Sequence, residues 1–273
     1  TVIKNEREVN VMSYLNGQTG YREDLLNTRS VVKMGSYAVI EPDGIVKNAI
    51  PGYENCDVTI LGSPAMGATF ADYLITVHEN GGNPAFGGEG LESFIYVIEG
   101  SITVKNADEE ATLTEVGYIY SPASNTIAIK NEGKEDAKLF AYKRRYEAVE
   151  GYSAHTVVAN INDTPWMPYE GMENCHSKDF LPAAGDFGFD MNMHLLKFKL
   201  GGSHGYIETH IQQHGMYFLQ GKAMYRIGDD WIPLKKGDYV FMDCYCPQAC
   251  YGVGKDEDLI YIYSKDCNRD VQL

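Results

Sequence analysis

The chain has 273 residues, 44% hydrophobic and 12% aromatic, enough to bury one large core or two ordinary ones, which excludes disorder over most of its length. Its 23 basic and 38 acidic side chains leave a net charge of −15. That field repels phosphate backbones and anionic headgroups, so neither nucleic acid nor a membrane surface is an expected partner.

At the amino terminus, Thr1 to Glu8 holds no apolar stretch of the signal-peptide kind. The longest apolar runs, such as Phe94 to Ile98, fall far short of the roughly 18 residues a membrane span needs. Six cysteines are too few for a disulfide scaffold. A soluble cytoplasmic protein is expected.

Further along, Tyr96-Val97-Ile98-Glu99-Gly100 aligns with Tyr217-Phe218-Leu219-Gln220-Gly221 at an offset of 121 residues. Gly117-Tyr118-Ile119-Tyr120 aligns with Gly237-Asp238-Tyr239-Val240 at 120. Each copy encloses an acidic turn, Asp108-Glu109-Glu110 and Asp229-Asp230, best read as solvated hairpin tips. Both copies consist of short β-branched and aromatic runs broken by Gly, Asn, Asp and Pro, the pattern of an all-β barrel or sandwich. Between them, residues 146–189 hold Pro165-Trp166-Met167-Pro168 and Leu181-Pro182-Ala183-Ala184-Gly185, which break both periods and predict a connector. The expected division is a first domain over 1–145, a connector over 146–189 and a second domain over 190–273.

The second copy predicts strands at Met193 to Leu200, Tyr206 to Ile211, Met216 to Leu219, Ala223 to Ile227, Tyr239 to Met242 and Leu259 to Tyr263. Four of the seven histidines, His194, His204, His210 and His214, crowd its start, whereas the first copy has only His78. Glu208 and His210 alternate onto one face of a predicted strand, and His214 follows a short turn. One carboxylate and two imidazoles converging this way make a first-row metal site chemically sensible. The plainer reading is three polar residues on an exposed edge. Cys244, Cys246 and Cys250 lack the Cys-x2-Cys spacing of zinc sites. Alternation puts the first two on one strand face, and buried structural thiols are expected. In the last predicted strand, Tyr261, Tyr263 and Lys265 share a face, either inside a barrel or along an edge protected by lysine.

Gly202-x5-Glu208-x-His210-x3-His214-x6-Gly221 resembles the first signature of the cupin superfamily with its carboxylate and outer histidine exchanged. The position eleven residues after Gly237, where the second signature places a further ligand, is Gln248. The corresponding first-copy positions are Gly87, Glu89, Ser93 and Ala128, which offer no metal set. Longer segments, Gly20 to Leu26, Gly87 to Gly90, Tyr142 to Tyr146, Gly188 to His194, His204 to His210 and Tyr263 to Asp270, resemble the (S)-ureidoglycine aminohydrolase family over about residues 14–273.

That resemblance implies two tandem jelly-roll β-barrels, a bicupin, with a degenerate first half and a catalytic second half. It implies Mn²⁺ on Glu208, His210, His214 and Gln248, with Tyr225, Tyr261 and Lys265 joining Glu208 in catalysis. The implied reaction releases ammonia from (S)-ureidoglycine to leave (S)-ureidoglycolate, in purine breakdown. Persistence of a half without ligands suggests a packing surface and hence a closed homo-oligomer. Two other readings stay open on sequence grounds: an Fe(II) oxygenase, which shares the two-histidine, one-carboxylate set, and a non-catalytic bicupin that binds a ureide or sugar.

Overall fold

The computed structural model describes residues 28–271 and 273, so the segment Gly20 to Leu26 lies outside the described residues. Strands dominate and form two barrels. The first is built around Phe70–Phe86, Leu91–Glu99, Gly117–Ser121 and Ala137–Arg145. In the second, Met191–Phe198, His214–Gln220, Tyr239–Met242 and Leu259–Asp266 lie in one sheet. A three-stranded sheet of Lys222–Ile227, Asp230–Lys235 and Gln248–Val253 completes it.

Register makes the repeat explicit. Tyr96 pairs with Tyr118 and Tyr217 with Tyr239, so one offset of 121 holds across both strand pairs instead of slipping to 120. Gly237 therefore corresponds to Val116, and both adopt left-handed backbone, with φ of 91° and 60°. Gly100 and Gly221 match more closely still, at φ 80° and 79°. A Cβ on either would stand 2.6 Å from a backbone carbonyl oxygen, of Asp136 and Asp258 respectively, so each turn needs its glycine.

The sheets cut across the division expected at 145 and 190. Tyr37–Ile40 pairs with Tyr239–Met242 of the second barrel, while Val157–Asn160 pairs with Gly117–Ser121 of the first. Shifted by 121, Tyr37–Ile40 falls on 158–161, so the leading strand of each copy completes the opposite barrel. Arg29 clamps the exchange by pairing with Asp238, one of its hydrogen bonds measuring 2.8 Å. Residues 146–189 also give Met167–Pro168 and Cys175–Asp179 to the second barrel's sheet, so this stretch is woven into both halves. Exchange of this kind leaves no trace in local periodicity, because a strand's partner is set by distant sequence.

Other differences are local. Residues 206–211, expected as a strand, form an irregular loop touching the barrel through the isolated bridge Glu208↔Gln248. Asp230–Lys235 and Gln248–Val253 are strands beyond those expected, the former an edge that tolerates Pro233. Cys244 and Cys246 lie in a turn and not on a strand face; Cys244 is exposed, while Cys246 and Cys250 are buried, and all six thiols are free. Among the described residues no helix is long and apolar enough to cross a membrane.

Three apolar clusters hold the molecule together. One lies between the barrels, joining Phe70, Phe94, Tyr118, Phe140 and Tyr142 of the first half to Phe189, Tyr217, Phe241 and Ile262 of the second. The first barrel's interior is largely aliphatic, with Val58, Ile75, Val97, Val104, Leu139 and Ala141. The second barrel's interior instead carries Tyr37, Tyr225, Tyr261 and Tyr263. Repeat register relates these sets: Val104 corresponds to Tyr225, and pairing of Ile95 with Ala141 and of Met216 with Tyr263 aligns Ala141 with Tyr263 and Leu139 with Tyr261. Hydroxyls therefore occupy one barrel where methyls fill the other.

Candidate active site

Polar side chains converge inside the second barrel. Glu208 and Gln248 exchange both backbone hydrogen bonds at 2.9 Å, which directs their side chains to one side of the bridge. His214 opens the strand His214–Gln220 and Lys265 lies near the end of Leu259–Asp266. A cavity of about 10 Å³, room for one water or ion, is lined by Tyr169, His204, Glu208, His210, His214, Gln248, Tyr261, Tyr263 and Lys265, with Leu196 and Met216 beneath. Tyr261, Tyr263 and Lys265 thus share an inward face and do not guard an exposed edge.

Geometry at the histidines favours lone pairs over protons. His214 Nδ1 lies 2.8 Å from Ser264 O, so this nitrogen carries the proton and Nε2 presents a lone pair. His210 Nε2 stands 3.2 Å from His214 Nε2 and 3.2 Å from the Gln248 amide nitrogen. Burial first, then the neighbouring His210, pushes the His214 pKa well below its ordinary value. Burial and then Lys265 lower that of His210. Two neutral imidazoles whose nitrogens stand this close can turn their lone pairs to one first-row ion. Rotating the Gln248 amide by 180° would turn its oxygen towards His210 and its nitrogen towards Tyr225, a change that keeps the same hydrogen-bonding neighbours.

The carboxylate stands slightly apart. Glu208 Oε1 accepts a 2.7 Å hydrogen bond from the Tyr169 hydroxyl. Among the described residues no three His, Cys, Asp or Glu side chains group tightly enough to hold an ion by themselves; the tight group is His210, His214 and the Gln248 amide, with Glu208 on the same cavity wall. Tyr225, expected to join in catalysis, stands behind the residues that line the cavity. It is fully buried, and its hydroxyl donates to Gln248 Oε1 at 3.2 Å and meets Tyr261 Oη at 3.4 Å. It therefore orients the amide.

Sequence reasoning missed Tyr169 and left His204 without a role. Tyr169 comes from the stretch expected to be a connector, where nothing local marks it. His194, counted in the histidine cluster, stands behind the site, 2.8 Å from Asp179 and stacked on Tyr263. In the first barrel the matching positions are Gly87, exposed Glu89, buried Ser93 and, by the corrected offset, Ile127 in place of Ala128. A fully buried isoleucine thus occupies the place of the Gln248 amide.

Comparison with known proteins follows the same line. No family model matches the sequence. Over 263 residues, 96% of this chain and 100% of the relative, the sequence is 54% identical to (S)-ureidoglycine aminohydrolase of Escherichia coli. The chain belongs to the (S)-ureidoglycine aminohydrolase family of enzymes. Its structure matches a crystal structure of the Escherichia coli protein Ylba with a TM-score of 0.83 at 52% identity, covering 93% of this chain and 100% of that one. Oxalate decarboxylase from Bacillus subtilis, at TM-score 0.65 and 11% identity over 88% of this chain and 77% of that one, shares the bicupin fold. Family segments have visible structural roles here: Asn268, at φ 56°, donates to the carbonyls of Ala183 and Phe189, and Arg269 donates to those of Glu147 and Phe187.

Proposed function

We propose that this protein hydrolyses (S)-ureidoglycine to (S)-ureidoglycolate and ammonia, with Mn²⁺ held by Glu208, His210, His214 and Gln248. The observation that carries the reading is the convergence of two neutral imidazoles and an amide beside Glu208 and Lys265, in a chain 54% identical to a relative of that name. Held there, Mn²⁺ would supply Lewis-acid charge stabilisation. The substrate carries a carboxylate, a ureido group and an amine on one carbon. Hydrolysis breaks the bond from that carbon to the amine and forms one to a water oxygen.

Because such a carbon is already labile, placement counts for more than nucleophile strength. Lys265 brings a cation to the cavity wall, from which it would pair with the carboxylate of a substrate docked at the ion. Glu208 is the carboxylate able to accept a proton from water, and Tyr169 fixes one of its oxygens. Tyr261 presents its hydroxyl on the cavity wall, while Tyr225 holds Gln248. Leu196, Met216 and the tyrosine rings restrict bulk water.

The deciding experiment incubates metal-free protein with freshly generated ureidoglycine, with and without Mn²⁺, and follows ammonia, dissolved oxygen and the chirality of the ureidoglycolate. Mn²⁺-dependent ammonia matched by the S product is expected. Ammonia no faster than the uncatalysed rate would refute the proposal, and oxygen uptake without ammonia would select the oxygenase reading.

A further inference from the structure

One polar atom on a residue lining the cavity is used neither by the fold nor by the chemistry above. His204 is 4% exposed. Its backbone N–H donates to Cys250 O at 2.9 Å, and the Cys250 N–H donates back to His204 Nδ1 at 3.0 Å. A ring nitrogen that accepts from an amide carries no proton, so the neutral ring must carry its hydrogen on Nε2. Burial, the larger influence, lowers the pKa of His204 against the opposing charge of Glu208, which keeps the ring neutral. Phe198, edge-on at 4.9 Å, and Tyr169, tilted at 5.9 Å, pack against the ring. Nε2 is inaccessible to solvent and has no hydrogen-bond partner among the described residues. A buried donor of fixed tautomer, on a residue that lines the cavity, is one arranged to meet an acceptor that arrives with the ligand.

We propose that the His204 Nε2–H donates to the ureido carbonyl oxygen of the bound substrate and so selects for a carbamoyl group at that end. The inference rests on the ureidoglycine reading of the site. Charge matching decides which acceptor it takes: Lys265 suits the carboxylate, whereas a neutral single N–H suits a neutral amide oxygen. A pocket built to satisfy a hydrogen-bonding group also rejects ligands that lack it, because its own donor is then left unpaired.

The test measures binding by calorimetry on the full-length, metal-loaded protein. Its probes are ureidoacetate, which has the ureido group and carboxylate but no amine to lose, and glycolate, which lacks the carbonyl. His204→Asn keeps an acceptor for the Cys250 N–H and gives up the cavity donor; it should weaken ureidoacetate by about tenfold to a hundredfold and leave glycolate within about twofold. His204→Gln, with an amide N–H near the Nε2 position, should recover most of the loss. Should His204→Asn fail to fold, His204→Phe, which keeps the ring volume without a donor, takes its place with the same expectation. Equal weakening of both probes, or of neither, in a folded variant overturns the role of His204. Wild-type protein that binds no ureidoacetate overturns the reaction reading and this inference together. Tight ureidoacetate binding without ammonia release from ureidoglycine refutes the reaction alone, and the variants then still judge His204.

Discussion

Replacing Asp72 by Asn should change how the protein's stability depends on pH. Asp72 lies on Phe70–Phe86 in the first barrel, fully buried, and its Oδ2 accepts a 2.6 Å hydrogen bond from Tyr239 of the second. Oδ1 has no partner among the described residues. A Cβ on Gly62 would meet Tyr239 Oη at 2.2 Å, and one on Gly215 would meet Asp72 Oδ2 at 1.9 Å, so two glycines make room for the pair. Burial raises the Asp72 pKa to about 7 from 3.8, against a smaller lowering by Tyr239. With the folded value raised, the folded state holds the proton more tightly. The favourable contribution is complete below about pH 3.8 and is lost as pH rises through about 7. Between pH 5 and 7 the folded state keeps a proton that the unfolded chain has released, two units at about 1.36 kcal/mol each, or about 2.7 kcal/mol. Asparagine cannot titrate. The stability difference between wild type and Asp72→Asn, from urea unfolding at pH 5 and pH 8, should therefore shift by about 2.7 kcal/mol, with the wild type gaining relative ground at pH 5. The amide group placed at Oδ1 adds only a pH-independent offset. Parallel curves across this range would refute the reasoning.

Lys265→Met should lower turnover by about a hundredfold or more while metal content and melting temperature stay near wild type; activity within a few-fold would remove the residue from the site. Elemental analysis should find about one ion per chain, lost in His210→Ala and weakened less by Gln248→Ala than by His214→Ala, because an amide group is a weaker donor to a first-row ion than an imidazole nitrogen; two ions per chain would point to a second site in the first barrel. Tyr169→Phe should slow turnover by about tenfold through loss of the bond to Glu208, with the fold intact by circular dichroism, and unchanged steady-state kinetics would count against that role. Light scattering at micromolar concentration should return a multiple of the 30.4 kDa chain mass, and a monomer would contradict the closed oligomer.

Legibility in the sequence followed the range of the interaction. The repeat is legible because Tyr96 to Gly100 and Tyr217 to Gly221 keep residue types at 121, but the second segment, aligned at 120, misses by one residue the register in which Tyr118 corresponds to Tyr239; Tyr239–Met242 is bounded as expected because its apolar run lies between turn residues. Loop 206–211 departs from the strand that its alternation predicts. Glu208 and His210 alternate as strand residues do, yet the segment is held by one isolated bridge to Gln248 and by hydrogen bonds of Thr209 and His210 to the Tyr245 backbone, and an irregular loop lets His210 fold back on His214. Gln248 itself was found only through signature spacing, since nothing about a lone glutamine marks it as facing a cavity. Tyr169 and the donor on His204 were invisible because both roles depend on partners 39 and 46 residues away.

The exchanged strands explain why a first half without ligands persists. Tyr37–Ile40, which precedes the first barrel, extends the sheet of the second, pairing with Tyr239–Met242, the strand that in turn pairs with His214–Gln220. Without it, the backbone beside the His214 strand would present an unpaired edge one strand away from the site. The first barrel carries that strand in place, and its aromatic face, Phe70 with Phe140 and Tyr142, packs against Tyr217 and Phe241 on the back of the same sheet. Aliphatic residues at Val104, Ile127 and Leu139 then serve rigidity, where the second barrel has the polar Tyr225, Gln248 and Tyr261. One copy could lose its polar interior because its remaining task, closing and stiffening the other, needs only backbone pairing and packed rings.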